Sequence, residues 1–190
     1  MINIFREPIV RFLAIGFFIY LGWMAMYEWI IHPWGALDNL VISNTIFFAQ
    51  KILQGLDYAT ETDGARVMGI VGTPGLFIGD NCNGISLFAL FSIFVIAFPG
   101  KIFSKFIFIS SGIIIIHFLN ILRVVALAII EIYSYEWTEF NHTYTFTIII
   151  YACIFLLWIY WIDKYSGLKK DEKACFNSFF SVGYHIFRFL

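Results

Sequence analysis

Apolar residues gather in four blocks, near 12–31, 84–98, 106–131 and 143–162. A helix needs about 20 residues to cross a hydrocarbon core, and the blocks reach that length or come close to it. The second is short, so its helix extends past Pro99 or begins at the loop around Cys82. The third is long for one crossing and carries His117, Asn120 and Arg123, which predicts a tilt, a kink or an upper part in a wet cavity. The first resembles a secretion signal in position only. Its apolar core is long and bulky and no Ala-x-Ala site follows, so it reads as an anchor.

Residues 32–83 separate the first two blocks and are too long for a mere connector. Leu37, Leu40, Val41, Phe48, Ile52 and Leu56 recur at roughly helical spacing after an Asp38-Asn39 start signal, predicting an amphipathic helix in the membrane interface. The polar run Asp57 to Arg66 ends it. Arg66 to Ile70 and Leu76 to Ile78 flank Val71-Gly72-Thr73-Pro74-Gly75, the pattern of a short β-hairpin that delivers the chain to Cys82. Residues 163–190 form a tail, basic from Lys164 to Lys173 and apolar from Phe176 to Leu190. The reading is a single membrane domain over residues 1–190, all-α apart from the hairpin, with four transmembrane helices.

Composition agrees: 61% hydrophobic, 21% aromatic and 13% charged residues exclude a soluble domain. Charge then sets the orientation. With the N-terminus inside, Arg6, Arg11, Lys101, Lys105, Lys164, Lys169, Lys170, Lys173 and Arg188 face the cytoplasm, and only Lys51 and Arg66 lie outside. Asp38, Asp57, Glu61, Asp63, Asp80, Glu136 and Glu139 take the outer side. The expected topology is therefore N-in and C-in, with residues 32–83 outside. No nucleic-acid face is indicated. Cys82, Cys153 and Cys175 fall at three depths, too far apart for a disulfide.

Within this frame a few polar residues stand out. Asp80-Asn81-Cys82-Asn83-Gly84 sits at the outer mouth of the second block, where lipid-facing residues are the norm. A thiol just before a helix start feels the positive end of the helix dipole, which favours the thiolate, while Asp80 opposes it. Arg123 follows Asn120 by three residues, so the two share a helix face. An intramembrane arginine costs about 2.5–3.5 kcal/mol on insertion scales and marks a functional site unless it merely snorkels. His142 opens the fourth block at a matching depth, whereas His117 lies deeper and reads as a packed or hydrogen-bonded core residue. A thiol, an imidazole and a fixed cation suit acyl transfer. One cysteine and one histidine do not make a zinc site, and no metal or cofactor is expected.

The Cys-x-Gly of Cys82 and Gly84, the Asn120-x-x-Arg123 about forty residues on, and His142 at the start of the last block resemble the active-site pattern of the exosortase/archaeosortase family of membrane transpeptidases. The short chain looks like the compact exosortases of Bacteroidetes-type bacteria, with Asn83 where many members have Ser. The resemblance implies Cys82 as nucleophile, Arg123 as the essential arginine and His142 as the histidine, with Asn81, Asn83, Gly84 and Asn120 in support. It also implies a bacterial cytoplasmic membrane, an outward-facing site and an exported protein as substrate. That substrate would carry a C-terminal motif, a transmembrane helix and a basic cluster, and an amine or water would accept the acyl group. Two other readings stand beside it: an endopeptidase at the membrane edge, and a non-enzymatic scaffold or assembly subunit in membrane lipid.

Overall fold

The computed structural model describes residues 8–165 and is an all-α integral membrane protein with one small sheet. Helix α1, Pro8–Met26, continues through a π-helical turn at Tyr27–Ile31 and a last turn at His32–Trp34. Helix α2, Ala36–Gly55, follows a left-handed Gly35. A sheet of β1, Thr60–Asp63, β2, Val67–Ile70, and β3, Leu76–Phe77, leads to a single 3-10 turn at Asp80–Cys82. Helices α3, Ile85–Ala97, α4, Ile102–Tyr133, α5, Tyr135–Phe140, and α6, Phe146–Lys164, complete the chain, with a second π-helical turn at Asn141–Thr145.

Among the described residues, three stretches are long and apolar enough to cross a membrane: Val10–Trp34, Ile102–Tyr133 and Glu136–Lys164. Helix α3 is shorter, at 13 residues. It neither passes Pro99 nor includes Cys82. Helix α4 is longer than its apolar block, and at 32 residues it measures about 48 Å against a hydrocarbon core of roughly 30 Å. Its excess is used by packing, since its upper residues sit against α2 and the sheet rather than ending at the membrane edge.

The described residues form two hydrophobic cores. The upper one joins Ile42, Ile46, Ala49 and Leu53 of α2, Met68 and Ile70 of β2, and Ile121, Val124, Val125 and Ala128 of α4. The lower one joins Phe91, Phe94, Val95 and Phe98 at α3, Ile116 of α4, and Ile150, Ile154, Trp161 and Ile162 of α6, with Phe12 of α1 against it. Close approach of α3 and α4 depends on Gly112, where an added Cβ would lie 2.1 Å from the Phe91 ring. A side chain there would have to displace the buried Phe91 ring.

The expected amphipathic helix is present as α2, and two other expectations need correction. Its apolar stripe, as read from the sequence, faces outward, as suits a helix lying in the membrane interface. Leu37, Leu40, Phe48 and Leu56 are exposed, while Asp38, Ile42, Thr45, Ile46, Ala49 and Leu53 turn inward. Both faces of α2 therefore carry apolar residues, one turned outward and one packed against protein. The polar run after it is partly a strand, with Thr60 opposite Ile70 and Asp63 opposite Val67, so the hairpin is the second half of a three-stranded antiparallel sheet. His142 does not open the last helix either, because helical structure begins at Tyr135. Cys175 and the rest of the tail beyond residue 165 lie outside the described residues.

Candidate functional site

The 3-10 turn ends at Cys82, and Asn83 and Gly84 then convert it into α3. Gly84 sits at φ +86°, a left-handed conformation that disfavours any side chain, with the Phe88 ring and the Asn120 amide 3.5–3.6 Å from where a Cβ would be. Asn83 is buried, and its Oδ1 accepts the Ile85 backbone N–H at 2.9 Å, satisfying one of the orphan donors of the helix start. The backbone of Asn81 lies in the same turn.

Sixty residues away in sequence, His142 lies in the π-helical turn Asn141–Thr145. Its Nε2 is 2.9 Å from Cys82 Sγ. Such turns occur often at functional sites, because the extra residue re-aims side chains that a regular helix would direct elsewhere.

Helix α4 holds both partners from one face. Asn120 Nδ2 donates to the Cys82 carbonyl at 3.1 Å, and three residues on, Arg123 Nη2 donates to the His142 carbonyl at 3.1 Å. Thr147 Oγ1 donates to the same carbonyl at 3.3 Å. The i, i+3 pair thus grips the backbones of the two residues whose side chains meet. Asn120 lies about 27 Å along α4 from its start at Ile102, near the far edge of a core of roughly 30 Å.

Cys82 is half-buried. Burial pushes its thiol above the ordinary range, and the Arg123 charge pulls the other way. The thiol is thus held above its ordinary range, with an imidazole nitrogen in reach of its proton. Asp80 is paired: Arg66 Nη1 donates to its Oδ1 at 2.7 Å.

The structure brings Cys82, Asn83, Gly84, Asn120, Arg123 and His142 together. His117 stays apart, 2.7 Å from Asn44 Oδ1 and edge-on to Phe88. Sequence reasoning missed Asp38, Tyr27 and Arg66. Asp38 is 1% exposed, and its Oδ1 accepts from Asn83 Nδ2 at 2.5 Å and from the Tyr27 hydroxyl at 2.6 Å. An acid in a helix's first turn is an ordinary dipole partner, and that ordinary role hid this one. Beneath the turn, an apolar groove between α1 and α3 is lined by Ile19, Trp23, Val41, Ile85, Phe88 and Ala89.

A sequence profile of a family described as transmembrane exosortase matches residues 7–159. No curated protein and no solved structure matches the chain.

Proposed function

The chain belongs to the transmembrane exosortase family, and from that premise we propose that it is a cysteine transpeptidase that cleaves the C-terminal sorting signal of exported proteins. The observation that carries the reading is the 2.9 Å approach of Cys82 Sγ to His142 Nε2, made by residues from separate elements that α4 holds by their carbonyls.

In this mechanism His142 takes the Cys82 proton as sulfur attacks the scissile carbonyl, and a C–S bond forms. Arg123 stabilises the charge that develops on the carbonyl oxygen. The peptide C–N bond then breaks, His142 returns the proton to the departing amine, and a thioester remains on Cys82. An incoming amine or water, deprotonated by His142, attacks the thioester and releases the thiol. The substrate's transmembrane helix would lie in the groove between α1 and α3, with its motif reaching up to Cys82 and its basic cluster on the cytoplasmic side.

Co-expression with a tailed substrate tests the chemistry. A covalent adduct is expected on Cys82, found by mass spectrometry of its peptide and lost on treatment with hydroxylamine. Substrate cleaved with no such adduct, even when acceptor is depleted, would point away from a thioester.

The charge asymmetry supports an orientation with the site on the outer face of a bacterial cytoplasmic membrane. A membrane-impermeant maleimide added to intact spheroplasts is then expected to label Cys82 and leave Cys175 unlabelled. Labelling of Cys175 with Cys82 protected would invert the topology.

A further inference from the structure

Two consecutive residues of α2 grip the nucleophile turn from both sides. Asp38 accepts from Asn83, the residue after Cys82. Asn39 Oδ1 accepts from Arg66 Nη2 at 2.9 Å, and the other end of the same guanidinium holds Asp80, two residues before Cys82. The two grips differ in depth. Arg66 and Asp80 are partly solvated, at 28% and 29% side-chain exposure, where ion pairs contribute little. Asp38, Asn83 and Asn120 are each 1% exposed, and hydrogen bonds there are costly to break.

Asp38 is also where the elements meet. Tyr27, presented by the π-helical turn that ends α1, donates to the same oxygen, and His32 Nδ1 lies 3.8 Å from Oδ2. Asn83 spends its amide on Asp38 and its carbonyl oxygen on the Ile85 N–H, so its side chain is fixed at both ends. Asn120 fixes the Cys82 carbonyl from the opposite side. The backbone carrying Sγ is thus held between α2 and α4.

We propose that Asp38 is a positioning residue for the reaction: acting through Asn83, it holds the turn that aims Cys82 at His142. This rests on the transpeptidase reading for its purpose, but the aim of the thiol can be measured without a substrate.

The groups that face Cys82 and its turn are His142, Arg123, the Asp80–Arg66 pair, and Asp38 with Tyr27 and His32. Loss of an acidic neighbour would by itself leave Cys82 alkylation unchanged or quicker, since a nearby negative charge disfavours thiolate. Loss of aim does the reverse, because it takes the thiol away from His142. The two effects have opposite signs.

The test uses the full chain in membranes. The rate of Cys82 alkylation by iodoacetamide between pH 6 and 10 (roughly the range where thiols titrate) is measured by peptide mass spectrometry. Abundance and processing of a co-expressed substrate are measured alongside it. The variants are Asp38→Asn, Asn83→Asp and the two together. Asp38→Asn is expected to cut processing per molecule roughly tenfold or more, as small misplacements do, and to slow alkylation at neutral pH. The exchanged pair can rebuild the contact, with an amide donor at 38, a carboxyl acceptor at 83 and the Ile85 N–H still bonded, so it should recover most of the processing lost in either single variant. Alkylation that quickens in Asp38→Asn, or processing per molecule that stays at wild-type level, would overturn the proposal. So would an exchanged pair no better than the singles, or singles whose only defect is low abundance. Wild-type protein with a well-aimed, reactive Cys82 but no processing would instead sink the transpeptidase reading and leave the positioning result standing.

Discussion

Cys82→Ala is expected to leave a tailed substrate wholly uncleaved while the protein accumulates in the membrane at close to wild-type level. The half-buried side chain loses only its sulfur, and such changes cost about 1 kcal/mol. The chemical loss is far larger: removal of a nucleophile from a hydrolase site lowers the rate by an amount on the order of 10⁶. His142→Ala should be almost as severe. Because thiol and imidazole act as a unit, the double variant should be no slower than the worse of the two singles. Cys153→Ala, in α6, should process normally. The measurement is the ratio of cleaved to uncleaved substrate per molecule of membrane protein. Normal cleavage by Cys82→Ala would leave the scaffold reading in possession of the field.

Much of this architecture was legible in the chain because a bilayer imposes length and polarity rules that soluble proteins escape. Apolar runs located the long helices, the Gly-Pro cluster marked the hairpin between β2 and β3, and misplaced polar residues marked Cys82, Asn120 and Arg123. Depth reckoned along the helices brought His142 to the same level. What stayed hidden has physical causes. Helix α2 is apolar on two faces, so its pattern did not say which one meets protein. The strand Thr60–Asp63 carries Glu and Asp, residues depleted in strands, and pairs only because β2 is beside it. Helix irregularities have no short sequence signature, so the π-helical turns that present Tyr27 and His142 could not be foreseen. Asp38 shows the general limit: a residue's type is visible in sequence, but its burial against Asn83, 45 positions away, is not.

Arg123 is where fold and chemistry make separable demands. Its Nη2 holds the His142 carbonyl, and its charge favours the Cys82 thiolate. A lysine keeps the charge and the apolar stem but has no planar fork, so it can serve the carbonyl or the reacting oxygen and not both in the same geometry. Arg123→Lys is therefore expected to lose roughly 10²–10³ in processing rate, the scale of losing one oxyanion donor, with abundance retained. Arg123→Gln removes the charge too. Its Cys82 thiol should then titrate at still higher pH, because the downward pull of the Arg123 charge is gone. Alkylation should slow at neutral pH in the glutamine variant and recover as the solution is made alkaline, while the lysine variant keeps a profile close to wild type. His117→Ala serves as the control on the same helix: it gives up the Asn44 contact, so abundance should fall modestly while processing per molecule stays unchanged. Full activity in Arg123→Lys would make the arginine an anchor for the π-helical turn. Loss of abundance in Arg123→Lys would make its role structural, because an arginine needed only for chemistry is dispensable for insertion.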